Sequence, residues 1–209
     1  MVNYVEVIDS MPLVNMPKTQ RGQETLDNLC AAAERVFYKK GYHNSTIKDI
    51  TSEANIGLGT FYIYFNDKKS LYVHLLSDYS KFIRKAISKK ISHLTDRRDI
   101  EREGLVAFLE VVRDNQYLYN IIWESLYIDK KLFVGYYEDF ARHYINYIEI
   151  AQEEGEMRKL NPETVAYVLM GIANFVGLRY TMFDKRDNFD DIADDVATIY
   201  NEGLFFPLK

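Results

Sequence analysis

Only three residues, Asn55-Ile56-Gly57, separate two short stretches of helical periodicity, one from Thr46 to about Ala54 and one from about Leu58 to Phe65. So close a junction forces the two helices to cross at a steep angle, which is the geometry of a helix-turn-helix. Asn55 takes the left-handed turn conformation with less strain than most residues, and Gly57 is an acceptable N-cap. Thr46 opens the first of the pair as N-cap, with Asp49 three residues on in the position of a capping box.

Helical periodicity continues on both sides. Leu26, Leu29, Cys30, Ala33, Val36 and Phe37 recur at three- and four-residue steps on a helix that ends at Lys39-Lys40. Gly41 then supplies a left-handed cap, and the two lysines face the negative end of the helix dipole. After Asn66-Asp67 comes a long amphipathic helix whose apolar stripe runs from Leu71 to Ile91 and which is expected to end near Thr95-Asp96. Further helices are expected at about 99–114, 117–126, 129–154, 162–184 and 189–205. Asn161 as cap, with Pro162 at the first helical position and Glu163 behind it, signals one of these starts. No stretch shows sustained strand alternation and no repeat is visible, so the fold class is all-α with about nine helices.

Several function classes lack their motifs. The 209 residues contain one cysteine, Cys30, which excludes an intramolecular disulfide and any cysteine-based zinc site, and fits a reducing compartment. Cys30 lies on an apolar helix face and reads as a small core residue. The histidines at 43, 74, 93 and 143 have no metal-type spacing, and there is no P-loop, G-x-G-x-x-G or G-x-S-x-G. Neither metal, cofactor nor enzymatic activity is expected. Apolar runs fall short of the ~18–20 residues that span a bilayer, and the N-terminus lacks a signal-peptide pattern. The expectation is a soluble, cytoplasmic protein with no membrane partner.

The net charge of −5 argues superficially against nucleic acid. Divided along the chain, it is −2 over residues 1–16, +7 over 17–98 and −10 over 99–209. The helix-turn-helix therefore lies in a basic segment joined to an acidic one.

The run from Thr46 through Ile-Lys-Asp-Ile-Thr-Ser-Glu-Ala-Asn-Ile-Gly-Leu-Gly-Thr-Phe-Tyr-Ile-Tyr-Phe-Asn-Asp-Lys-Lys-Ser to Leu71, preceded by Ala-Ala-Ala-Glu-Arg-Val-Phe-Tyr-Lys-Lys-Gly-Tyr42, resembles the DNA-binding domain of the TetR family of bacterial transcriptional regulators. The resemblance covers roughly residues 21–75, about a quarter of the chain. It implies an N-terminal three-helix domain that binds double-stranded operator DNA as a homodimer, and a C-terminal helical bundle that binds a small effector and releases the DNA. The implied organisation is an arm over 1–20, a helix-turn-helix domain over 21–67, and an effector-binding and dimerisation domain over 68–209.

On the third helix, Phe61, Tyr64 and Phe65 have the spacing that packs inward, which leaves Leu58, Gly59, Thr60, Tyr62 and Ile63 nearer the surface that would enter a major groove. Gly59 lets backbone approach DNA, Thr60 can reach a phosphate or a thymine methyl, and Tyr62 offers a hydroxyl beyond a flat ring. Lys68 can add a cation to helix-start amides that favour phosphate. By family analogy, Thr46 and Lys48 hold the adjacent DNA backbone. Asn55 stands where the family usually has Gly, Gly57 where it often has Ser, and Ile63 where it often has a polar residue, which removes one phosphate contact. Leu58 suggests readout through thymine methyls or DNA shape. The basic run at Lys81, Arg84, Lys85, Lys89 and Lys90 reads as a solvated face, since Lys89 lies roughly 30 Å along the helix from Lys68 at ~1.5 Å per residue.

In the acidic half, ten aromatic residues between Tyr117 and Tyr147 are equally compatible with a pocket lining and with a plain core. Trp123, Glu124, Tyr127, Tyr144 and Arg179 are the candidate ligand residues. Arg179 is expected to pair with Glu124 or to meet the anionic group of an elongated apolar effector such as an acyl-CoA or a fatty acid; the alternative is an interface or solvent-reaching arginine. Ala166, Met170, Ala173 and Gly177 share one face of a late helix and are the candidate dimer interface, which would give a near-palindromic operator. The rival class is an all-helical ligand-binding or scaffold protein whose helix-turn-helix serves packing alone.

Overall fold

The computed structural model describes residues 15–184 and 186–203. Every regular element among them is helical: α1 Gln20–Lys40, α2 Ile47–Glu53, α3 Leu58–Tyr64, α4 Lys68–Ile91, α5 Arg97–Asp114, α6 Tyr117–Ile128, α7 Lys130–Glu153, α8 Pro162–Gly177, a π-helical turn Leu178–Phe183, and α9 Asp190–Glu202. The arm expected over 1–20 lies mostly outside the described residues. These helices form two compact units, and the chain passes between them three times: within α4, between α5 and α6, and within α7.

The first unit comprises the chain to Ser80 together with Tyr117–Phe140, so it contains α1 to α3, the first turns of α4, α6 and the start of α7. Its helix starts carry the expected caps. Thr19 accepts from the Gly22 amide at 3.1 Å, and the Thr46–Asp49 capping box of α2 is complete in both directions. Asp67 accepts from the Ser70 amide at 2.7 Å at the start of α4. The core gathers Leu29, Ala32, Ala33 and Phe37 of α1, Ile50 of α2, Phe61 and Phe65 at α3, and Leu71, Tyr72, Leu75 and Leu76 of α4, each at most 2% exposed. Burying each large side chain of this set contributes about 1.5–3 kcal/mol, which holds two seven-residue helices that are too short to persist alone.

The second unit holds the rest of α4, α5, the end of α7, α8, the π turn and α9. Leu105, Val106 and Leu109 of α5 pack with Phe189, Ile192, Ala193 and Val196, while Ile148 of α7 packs with Ala166 and Leu169 of α8. Two boundaries differ from expectation. The α4 helix stops at Ile91 because Asp96 is the N-cap of α5, accepting from the Arg98 amide at 2.8 Å. The helix expected over 162–184 is α-helical only to Gly177, after which the turn widens. Thr181 donates its hydroxyl to the Gly177 carbonyl at 2.7 Å, and the Asp184 amide reaches back five residues to Arg179 at 3.0 Å.

One further departure concerns hydropathy. Pro162–Phe183 is long and apolar enough, by length and composition, to cross a membrane, yet only 28% of its most apolar window is buried. Glu163 and Arg179 sit near its ends rather than breaking its middle, which is why the segment passes a test that the sequence reading expected none to pass.

Candidate nucleic-acid interface

The turn between α2 and α3 is built around Asn55, whose φ of 53° is the positive value expected there. The Ile56 amide donates to the Thr51 carbonyl at 3.0 Å, and Asn28 of α1 donates its side-chain amide to the Ala54 carbonyl at 2.8 Å. Asn28 thus satisfies the end of α2 from across the unit, a role that sequence spacing does not reveal. Two ion pairs brace α2 on its outer side, Arg35 to Glu53 at 2.7 Å and Lys40 to Asp49 at 2.8 Å. The Lys40 hydrogen bond, aided by Thr46, holds the Asp49 carboxyl down at about 2, and Arg35 likewise lowers Glu53.

The α3 helix divides as its periodicity predicts. Phe61 and Tyr64 are buried, with the Tyr64 hydroxyl donating to the Gly22 carbonyl at 3.0 Å. Leu58, Tyr62 and Ile63 are each about half exposed, Gly59 is exposed, and Thr60 is half-buried. A Cβ at Gly59 would meet nothing within 4 Å, so the chain's own packing does not require glycine there. Asn15 donates its side-chain amide to the Ile63 carbonyl at 3.2 Å, bringing the end of the arm to the end of α3.

Of the residues expected beside α3, Lys48 is exposed on α2. The Thr46 hydroxyl is engaged in the capping box, accepting from the Asp49 amide at 3.1 Å and donating to its carboxylate at 2.9 Å. Lys68 departs from expectation. Its ammonium turns inward and donates to the Tyr42 and Ser45 carbonyls at 2.5 and 2.6 Å, 4.2 Å from the centre of the Tyr42 ring. Loss of hydration there pushes its pKa below the usual lysine range, against the pull of Glu124 and Asp49. Cys30 lies in the core side of α1 with its thiol pushed up by burial.

The ligand candidates are not gathered into one site within either unit. Trp123 and Tyr127 stand exposed on α6, Tyr127 by 78%. Glu124 accepts a hydrogen bond from the Tyr42 amide at 2.7 Å. In the second unit Tyr144 is half-buried and donates to Glu101, which also pairs with Arg97. Arg179 takes the solvent-reaching alternative: its side chain is 54% exposed, it lies 3.7 Å from Asp184, and it stacks over Tyr180 at 5.4 Å. Neither Glu124 nor Arg179 is the uncompensated buried charge that the sequence suggested, because each has a partner inside its own unit. Among the clustered aromatics, Tyr119 and Tyr136 are core residues while Tyr127 and Tyr147 are surface ones. A groove of about 370 Å³ opens instead between α4 and α5, lined by Phe82, Ala86, Lys89, Ala107, Glu110 and Val111.

The dimer candidates are also corrected. Ala166, Met170 and Gly177 are buried within the second unit, and Ala173 packs against its α5–α9 core. Small size at Ala166, Ala173 and Gly177 lets α8 approach its own neighbours. The outward face of α8 carries Tyr167, Val168 and Phe175, the last 64% exposed, and continues to Phe183. A Cβ at Gly171, between them, would meet nothing within 4 Å.

The α2–turn–α3 geometry defines a helix-turn-helix protein of the DNA-binding class. Residues 29–75 match the family model described as bacterial regulatory proteins, tetR family. The HTH-type transcriptional regulator HbdR of Aromatoleum sp. (strain CIB) is 24% identical over 177 residues, covering 83% of this chain and 77% of that protein. Among solved structures, the fatty acid degradation regulator FadR from Bacillus halodurans matches with a TM-score of 0.76 at 18% identity, over 90% of this chain and 98% of that one. FadR from Bacillus subtilis, solved in complex with stearoyl-CoA, matches with a TM-score of 0.73 at 16% identity, over 85% of this chain and 98% of that one. The family match is confined to this N-terminal module, and over the rest of the chain the likeness is to HTH-type transcriptional regulators at lower identity.

Proposed function

We propose that this chain is a cytoplasmic repressor that binds a near-palindromic operator as a homodimer and is released by a small, largely apolar effector of the acyl-CoA or fatty-acid type. The observation that carries the DNA-binding surface is the division of α3: its inner face is fully committed to the core, while Leu58, Gly59, Tyr62 and Ile63 remain outside. Gly59 has no packing reason to lack a side chain, and close approach of its backbone to DNA supplies one. Lys48 and Tyr62 are the residues proposed to reach phosphate and base edge, with Leu58 and Thr60 available to thymine methyls.

Dimerisation is proposed through the outward face of α8, Val168, Gly171 and Phe175, where an apolar helix face is otherwise left to water. The effector class rests on the fold shared with a regulator solved with stearoyl-CoA. Titrating the purified protein into a labelled duplex selected from a random-sequence pool, with and without stearoyl-CoA, tests the reading. Salt-dependent binding that is lost on Tyr62→Ala and reversed by the acyl-CoA is expected; a folded protein that selects no DNA would leave the helix-turn-helix a packing device.

A further inference from the structure

The turn between α1 and α2, residues 41–46, is fastened from two directions. From the start of α4, Lys68 donates to the Tyr42 and Ser45 carbonyls. From α6, more than eighty residues away in sequence, Glu124 accepts from the Tyr42 amide at 2.7 Å. One peptide segment therefore has its N–H held by an anion and its carbonyls by a cation, and both bonds are of the charge-assisted kind. The Tyr42 ring is wedged against Phe37 and Tyr72 at centroid distances of 5.8 and 5.1 Å, and the Tyr72 hydroxyl donates to the Ile121 carbonyl of α6 at 2.5 Å. The Gly41 conformation is adapted to the same carboxylate, since a Cβ there would stand 3.0 Å from Glu124 Oε1. This turn leads directly into Thr46, the N-cap of α2, so its position sets where the helix-turn-helix begins.

We propose that Glu124 is a positioning residue for DNA recognition, which with Lys68 locks the α1–α2 turn to α6 and so fixes the orientation in which α2 and α3 meet the operator. Lys68 acts as a strut in this arrangement and not as a phosphate ligand. The inference rests on the DNA-binding reading above and adds to it that α6, lying outside the helix-turn-helix in sequence, determines how much of the population is competent to bind.

Three variants test it on a fluorescein-labelled duplex selected by the wild-type protein from a random-sequence pool, read by anisotropy across a salt series. Measurements are made at a temperature where circular dichroism shows each variant fully folded. Glu124→Gln keeps a carbonyl acceptor for the Tyr42 amide and is expected to bind within about twofold of wild type, whereas Glu124→Met, similar in length but without an acceptor, should bind roughly tenfold more weakly. The Tyr42 amide should exchange faster with deuterium in the methionine variant only. Lys68→Met should weaken binding while leaving the slope of log affinity against log salt unchanged. A slope shallower by about one would mean a lost phosphate contact and would overturn the strut assignment. Glu124→Met binding within twofold of a wild type that does bind overturns the positioning role alone. A wild type that selects no duplex overturns the DNA-binding reading and this inference with it.

Discussion

Gly41 shows how much a single residue carries. Its φ of 74° with ψ of 163° lies outside the left-handed helical basin expected of a helix cap, in a region open to little but glycine. Gly41→Ala should therefore destabilise the protein by roughly 1–3 kcal/mol, measured as a lowered urea midpoint, with the Glu124 oxygen adding a steric penalty. Asp49 gives a pH signature. Its carboxyl is held at about 2 against an ordinary 3.8, so its contribution is complete above the ordinary value and is lost as pH falls through about 2. Urea midpoints measured at pH 5 and pH 2 should fall less in Asp49→Asn than in the wild type, while the lowered Glu53 and Asp129 carboxyls titrate in both. Residue roles were the least legible feature of the sequence. Lys68 at a helix start resembles a phosphate ligand, and only the carbonyls of a turn folded over it reveal that its ammonium is occupied. Glu124 beside Trp123 resembles a buried charge until the Tyr42 amide is seen to meet it.

At the scale of elements the sequence was far more informative, because caps and periodicity are local. Thr46 with Asp49, Asn161 with Pro162, and the inward set of Phe61, Tyr64 and Phe65 all stand as their spacing predicts. What local pattern missed was set by distant partners: the π turn at Leu178–Phe183, and the direction of the small-residue face of α8, which packs against its own unit. The two faces of α3 can be separated by mutation. Phe61→Ala, at a fully buried position, should cost about 3–5 kcal/mol. Tyr62→Ala should leave stability within about 0.5 kcal/mol while removing DNA binding, as read by thermal melting and anisotropy on the same samples. Equal losses of stability at both positions would mean that Tyr62 also serves the core.

For the whole molecule, the helix-turn-helix lies in a segment of net +7 even though the total charge is −5. Part of its positive charge is spent internally: Lys90 pairs with Glu110 at 2.9 Å, and Lys68 with backbone carbonyls. On the proposed reading, operator affinity would rest on a few contacts made twice, and dimerisation would be essential to it. Phe175→Glu should yield a folded monomer by analytical ultracentrifugation with greatly weakened DNA binding, whereas Ala166→Glu, placed inside the unit, should prevent folding. A monomeric wild type with full affinity would contradict the dimer. The most direct measurement of the central claim is a hydroxyl-radical footprint of the wild-type protein on its selected duplex. The expected result is two symmetry-related protected patches about one helical turn apart, or a multiple of it, both lost on Tyr62→Ala. A single patch, or protection that persists in that variant, would contradict recognition by a paired α3.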